Sequence, residues 1–301
     1  VPPTHHDMVC AHLYHNGFIQ GLYSDLVVRL QPVPPAPAIG TPEGFANFTI
    51  HRIIAIRSPY LHARLREMET NGEFYHHSGM PTITILSNDP NMTAPGLTIA
   101  IGHLYGSYSH THLLNPDPSL SPAQWTAHLR SVLAASHLLQ LPDLASFATG
   151  QLKTALSRAT VLDCCLFVSQ PEWGGSYAAW SRELREAVFV FLSKGIVREI
   201  QEAVGGGGTV WGSRDGEGYR ELVAAFAQLP FEWLKKVVES RAFEVPSDME
   251  RFTFAKEVIA LRSSKKKPTA TLLAGEENVL LSFGGAGGKT GGSGVTIVRK
   301  A

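Results

Sequence analysis

The chain has 301 residues, room for one large domain or two of ordinary size, and its 44% hydrophobic and 17% charged residues exclude disorder over the whole length. Lys plus Arg (26) match Asp plus Glu (26), so no basic excess exists to release counterions from a phosphate backbone, and nucleic acid is not expected as a partner. No run approaches the ~18 uninterrupted apolar residues that span a bilayer, so no membrane is expected either.

Residues 1–19 are read as an N-terminal segment whose opening, Val1-Pro2-Pro3-Thr4-His5-His6, lacks the apolar centre of a secretory signal. Asp25 to Leu30 is rich in β-branched and leucine side chains and predicts a strand. A proline-dense loop follows from Gln31 to Gly44, and Phe48-Thr49-Ile50 predicts a second strand, so the two make a hairpin around a long exposed insertion. From His51 the period changes. Ile53, Ile54 and Ile56 lead into Ser58-Pro59, where serine caps and proline takes the first helical position, and Tyr60, Leu61, Leu65 and Met68 continue at helical spacing. Two short helices back to back are predicted.

Thr82 to Leu86 alternates as a third strand. Leu97, Ile99, Ile101, Leu104 and Tyr105 predict a helix after Pro95 that Gly106 ends. Ser121-Pro122 opens another, with Trp125, Leu129, Val132 and Leu139 on one stripe. Leu141-Pro142-Asp143 breaks it before a partner helix carrying Leu144, Phe147, Leu152 and Leu156. After Thr160 helical stripes such as Leu184, Val188 and Leu192 run to about Arg262, interrupted by the loop at Gly205–Gly208. Beyond Ser263 the chain is glycine-rich, with Val279–Phe283 and Gly294–Val298 as the strands of a terminal hairpin.

Residues with the reputation of chemistry read as scaffold. Gly284-Gly-Ala-Gly-Gly-Lys289-Thr290 resembles a phosphate-cradling loop, but its first required glycine falls on Phe283 and Gly291-Gly292-Ser293 follows where a helix must begin. The histidine pairs His5-His6, His76-His77 and His110/His112 have no acidic or cysteine companions at set spacing, so no metal is expected. Cys164 and Cys165 are adjacent, poor geometry for a disulfide, and sit in the apolar stretch Val161–Val168; they read as core in a reducing compartment, intracellular, in cytoplasm or nucleus. No serine occupies a Gly-x-Ser-x-Gly elbow. No catalytic residue, cofactor or enzyme activity is expected, and Lys265-Lys266-Lys267 reads as solvated linker.

Three stretches together resemble the BTB/POZ family: Ser24-Asp25-Leu26-Val27-Val28; Phe48-Thr-Ile-His51-Arg52 through Ser58-Pro-Tyr60-Leu61; and His103-Leu104-Tyr105-Gly106-Ser107 with Val132 to Leu141. A fourth, Leu229-Pro-Phe-Glu-Trp-Leu to Val238 and Phe243 to Phe252, is similar to the helical BACK region that follows many BTB domains; within it Ser247 and Glu250 have capping-box spacing. The resemblance implies an α+β BTB/POZ fold, a small mixed sheet flanked by helices, over residues 20–158. It implies an all-α BACK-like region over 159–262, with 263–301 a glycine-rich C-terminal segment. It further implies a protein-interaction adaptor or scaffold that pairs with itself. Asp25, His51 and Arg52 would then lie at a charged pocket of the dimer seam, with Leu104, Tyr105, Tyr108 and His110 near a partner contact. Other proteins are the implied partners, a cullin scaffold of a ubiquitin ligase among them. The insertion Pro32–Ala46 and the long Tyr108–Leu120 stretch depart from the family's pattern. The rival reading is a structural subunit whose BTB surface is covered by a different protein.

Overall fold

Alternation of apolar side chains builds the first sheet. In β1 (Leu26–Pro32) every second residue, Leu26, Val28 and Leu30, is buried, as period two requires of a strand with one covered face. The computed structural model describes residues 4–32, 46–76, 79–106, 119–169, 177, 179–204, 209–264, 279–283 and 295–299. β1 pairs antiparallel with β2 (Ala46–Ile50), Val28 facing Phe48, and parallel with β3 (Thr82–Ser87), Val28 facing Ile83. The order is β2-β1-β3. A parallel neighbour cannot be reached by a tight turn, and the helices between β2 and β3 make the crossover.

Before the sheet, α1 (His5–His12) opens with a Thr4/Asp7 capping box and continues as a wide π turn, Leu13–Ile19, that buries Tyr14 and Phe18. The crossover consists of α2 (Arg52–Ala55), α3 (Pro59–Thr70) and α4 (Glu73–His76). Ser58 caps α3 as the sequence predicts: Leu61 N–H donates to its Oγ (3.2 Å) while that hydroxyl donates to the Leu139 carbonyl (2.7 Å). α5 (Ala94–Tyr105) ends at Gly106, and α6 (Pro122–Leu138) starts with a reciprocal Ser121/Gln124 box. α7 (Pro142–Thr154) returns along α6 as the expected helical hairpin. α5 and α6 approach so closely that a Cβ on Gly96 would meet Ser131 Oγ at 2.0 Å, which is why glycine stands there. The N-terminal helix, absent from the sequence expectation, rests on α5 in the same way: a Cβ on Gly102 would meet Tyr14 Cε2 at 2.7 Å.

The chain divides into two compact units between Thr154 and Ala155. The second contains α8 (Val161–Ser169), α9 (Ala179–Val190), a π turn at Phe191–Gly195, α10 (Ile196–Val204), α11 (Glu217–Phe226), α12 (Phe231–Val238) and α13 (Asp248–Ser264). Its core is aromatic: Phe226, Phe243 and Phe254 lie with ring centroids 5.1 to 5.5 Å apart, and Trp211 and Tyr219 complete the cluster. Arg251 runs through it, donating to the carbonyls of Val238 (2.9 Å), Ser240 (2.6 Å) and Phe243 (3.2 Å). The expected Ser247/Glu250 box shows its serine half, Glu250 N–H to Ser247 Oγ at 3.2 Å, whereas the Glu250 carboxylate accepts from Arg214 (3.0 Å). A two-stranded hairpin of β4 (Val279–Phe283) and β5 (Val295–Arg299) follows, one residue later at its second strand than the sequence pattern suggests. The architecture as a whole is α+β, a small mixed sheet with helices and a helical region.

Candidate functional site

Asp25 stands just before β1, its own N–H given to the Ile50 carbonyl (3.1 Å), and this anchors the carboxylate beside the start of α2. Arg52, the first residue of α2, gives Asp25 two bonds: its backbone N–H to Oδ1 (2.7 Å) and its side-chain Nε to Oδ2 (2.9 Å). A four-residue helix has little cooperativity of its own, so a carboxylate reaching over from the sheet to its N-terminus supplies the cap and the favourable charge. Burial by itself would raise the Asp25 pKa. The Arg52 N–H, then the guanidinium hydrogen bond and charge, outweigh it and hold the carboxyl below its usual range. The guanidinium also lies 5.3 Å from the Phe74 ring centre. Both side chains remain nearly half exposed, 48% for Arg52 and 44% for Asp25.

His51, the residue before Arg52, is held at three points. Its Nε2 lies 2.8 Å from the Leu22 carbonyl, which can only accept, so Nε2 carries a proton. Its Nδ1 lies 2.8 Å from the Tyr105 hydroxyl, and its backbone N–H donates to that same oxygen (3.1 Å). In the neutral imidazole Tyr105 therefore donates to Nδ1 while accepting from the backbone. Burial, reinforced by the Asp25 charge and opposed by the His51 N–H, pushes the Tyr105 pKa up to about 12, so its hydroxyl keeps the proton it donates. Phe18 stacks on Tyr105 (5.3 Å between ring centres), and Gly17 leaves room for both rings: a Cβ there would come within 3.2 Å of Tyr105 and 3.3 Å of His51. The network ties the π turn, β2, α2 and α5 together.

Residues next to this polar anchor in the chain carry exposed apolar side chains. Leu22, whose carbonyl His51 holds, has 47% of its surface exposed; Tyr23, held in the left-handed region at φ 60°, has 94%; Ile53, next to Arg52, has 70%. A bulky exposed ring kept in a conformation that costs of order 1–3 kcal/mol is the kind of local strain that accompanies binding surfaces. The sequence reading missed these three. Ile53 looks like core in a run with Ile54 and Ile56, but α2 is too short to turn an apolar stripe inward, and Ala55 is its buried residue. No local signal marks Tyr23.

The remaining expected site residues separate. Leu104 and Tyr105 are 2% and 1% exposed, so their side chains are core where a partner-contact role had been expected; the Leu104 carbonyl accepts from the Arg57 guanidinium. Tyr108 and His110 lie outside the described residues, as do His77, His112 and the glycine loop at 284–290. Cys164 and Cys165 are fully buried in α8, and burial, with the neighbouring Cys164, pushes the Cys165 thiol far up. Among the described residues no group of three or more His, Cys, Asp and Glu gathers as a metal site. Among them, too, no helix is long and apolar enough to cross a membrane.

No family model matches the chain. It is similar to BTB/POZ domain-containing protein 2 of Schizosaccharomyces pombe, 24% identical over 276 residues, which cover 91% of this chain and 82% of that protein. The likeness is to a protein named for its BTB/POZ domain.

Proposed function

We propose that the chain is a non-catalytic adaptor that self-associates through the face around Asp25, His51 and Arg52 and holds other proteins, a cullin scaffold being the candidate partner to test first. The observation that carries the reading is the exposed apolar rim of Leu22, Tyr23 and Ile53 around a polar anchor whose own groups are already paired. Such a face contributes apolar area on association without leaving an unmatched charge, and a two-fold axis lets one patch serve both copies. Covering the Asp25–Arg52 pair would also change its energetics: half exposed, it contributes about 0–1 kcal/mol, but breaking it once buried costs roughly 3–5 kcal/mol.

Sedimentation equilibrium on the full chain tests the proposal. Wild type is expected to be a dimer at micromolar concentration, and Ile53→Asp a folded monomer with an unchanged circular-dichroism spectrum. A wild-type chain that stays monomeric at tens of micromolar would sink self-association in favour of a subunit whose face is covered by a different protein. Affinity capture by the wild-type chain, scored for a cullin, tests the finer partner assignment.

A further inference from the structure

The C-terminal hairpin docks on the helical unit in an unusual way. Its second strand β5 alternates sharply: Val295 and Ile297 are buried (1% and 0% exposed), while Thr296 and Val298 face out. β5 contacts α12 and α13, and β4 contacts α13. The backbone N–H of Ile297 donates to Glu239 Oε1 at 2.6 Å. Glu239 is the C-cap of α12, where the helix presents carbonyl oxygens and its negative end, a poor place for a carboxylate unless a donor is brought to it. A strand arriving with a free N–H is such a donor. The side chain therefore reads an extended backbone, and the neighbouring helices read two alternate apolar side chains.

The core of the helical unit does not depend on that strand for its aromatic centre. Trp211, Tyr219, Phe226, Phe243 and Phe254 all come from residues before Ser264, and so do the three carbonyls that hold Arg251. The hairpin, by contrast, is of a kind that has marginal stability alone: two strands joined across residues 284–294, a segment dominated by glycine. Its order is thus tied to its seat.

We propose that the face of α12 and α13, with Glu239 at its end, is a binding site for an extended strand with apolar residues at alternate positions, and that Val295–Arg299 fills it in cis as a removable internal ligand. Release of the hairpin opens the site to a strand of the same chemistry supplied by another polypeptide. This is strand recognition by pocketed alternate side chains plus a main-chain hydrogen bond. Tethering within one chain gives the internal strand a high effective concentration, so an outside strand competes poorly until the hairpin is released.

The test uses the full chain and a labelled synthetic peptide of residues 294–300. Wild type is expected to bind the peptide at least about tenfold more weakly than Ile297→Asp, whose own strand cannot seat, and adding Glu239→Leu to that variant, which removes the acceptor, should weaken binding again by about tenfold. Equal binding by wild type and Ile297→Asp, or none by a variant whose helices remain intact, overturns the proposal. So does an Ile297→Asp chain that loses its helices, because the strand is then a necessary part of the core. Hydrogen exchange on unmodified wild type gives an independent reading. The amides of 295–299 should open at far lower denaturant than those of 248–264, and a single shared opening would overturn the removable strand.

Discussion

The two units place a charged side chain at a junction of elements in opposite ways. In the first, Asp25 and Arg52 pair at the junction of strand and helix while staying 44% and 48% exposed, and Leu22, Tyr23 and Ile53, close to them in the chain, have exposed apolar side chains. In the second, the Arg251 side chain is 7% exposed and its guanidinium is spread over the carbonyls of Val238, Ser240 and Phe243, with Asp248 at 3.4 Å. Burial lowers the Arg251 pKa and the Asp248 charge opposes it; the guanidinium keeps its charge and is held by its acceptors. A buried charge surrounded by its own chain's acceptors is structural. An open pair beside exposed apolar side chains is not consumed in that way, and that difference is the reason the proposed association is placed on the first unit.

The comparison breaks most visibly at Arg251. Arg251→Leu removes a charged donor shared by three carbonyls in the interior, of which that of Ser240 keeps the Phe243 N–H, an expected loss of about 3–5 kcal/mol summed over the lost bonds. Urea unfolding followed by tryptophan fluorescence measures it, since Trp211 and Trp233 lie in that unit. If the midpoint stays within error of wild type, the buried guanidinium is not what joins the end of α12 to α13.

Tyr105→Phe sharpens the comparison in the first unit. The substitution keeps the ring that stacks on Phe18 and deletes only the hydroxyl, leaving the His51 N–H and Nδ1 without their partner. The expected cost is about 1–3 kcal/mol, read as a lowered thermal midpoint. Leu22 and Tyr23 should also become more mobile, visible as faster amide exchange, because the imidazole that holds the Leu22 carbonyl is no longer oriented from its other side.

How much of this was legible in the sequence depended on range. Strands β1 to β3 and the caps at Ser58 and Ser121 are local patterns, alternation over a few residues or a hydroxyl three positions from the N–H it receives, and they stand where the pattern places them. The α1 helix and its π turn escaped notice. Their surface is rich in histidine and polar residues, and only Tyr14 and Phe18 are buried, too thin a stripe to register as periodicity. The Asp25–Arg52 pair spans 27 residues, so no spacing rule finds it; resemblance to a family brought the two together. The same resemblance places Leu104 and Tyr105 near a partner contact, but a matched motif carries no statement of which way its side chains point, and here they point inward. The role of Glu239 was invisible for a related reason: its acceptor function needs β5, 58 residues further on, to be seated.

The smallest expected effect is the most discriminating. Asp25→Asn keeps the shape of the Asp25 cap and removes its charge. Because the pair is half exposed, the free chain should lose only about 0–1 kcal/mol at neutral pH. The folded-state pKa of Asp25 is depressed, so its contribution is fully present above the unfolded value, about 3.9, and is lost as pH falls through the folded pKa. The stability gap between wild type and Asp25→Asn should therefore persist from neutral pH down to about 4 and close below it. Denaturation midpoints at a series of pH values measure that gap at protein concentrations where the chain is monomeric. If the proposed association occurs at higher concentration, the same titration repeated there separates the two states of the pair. A covered pair widens the gap at neutral pH to several kcal/mol, whereas an unchanged gap would place Asp25 outside any interface and return it to the role of a cap for α2.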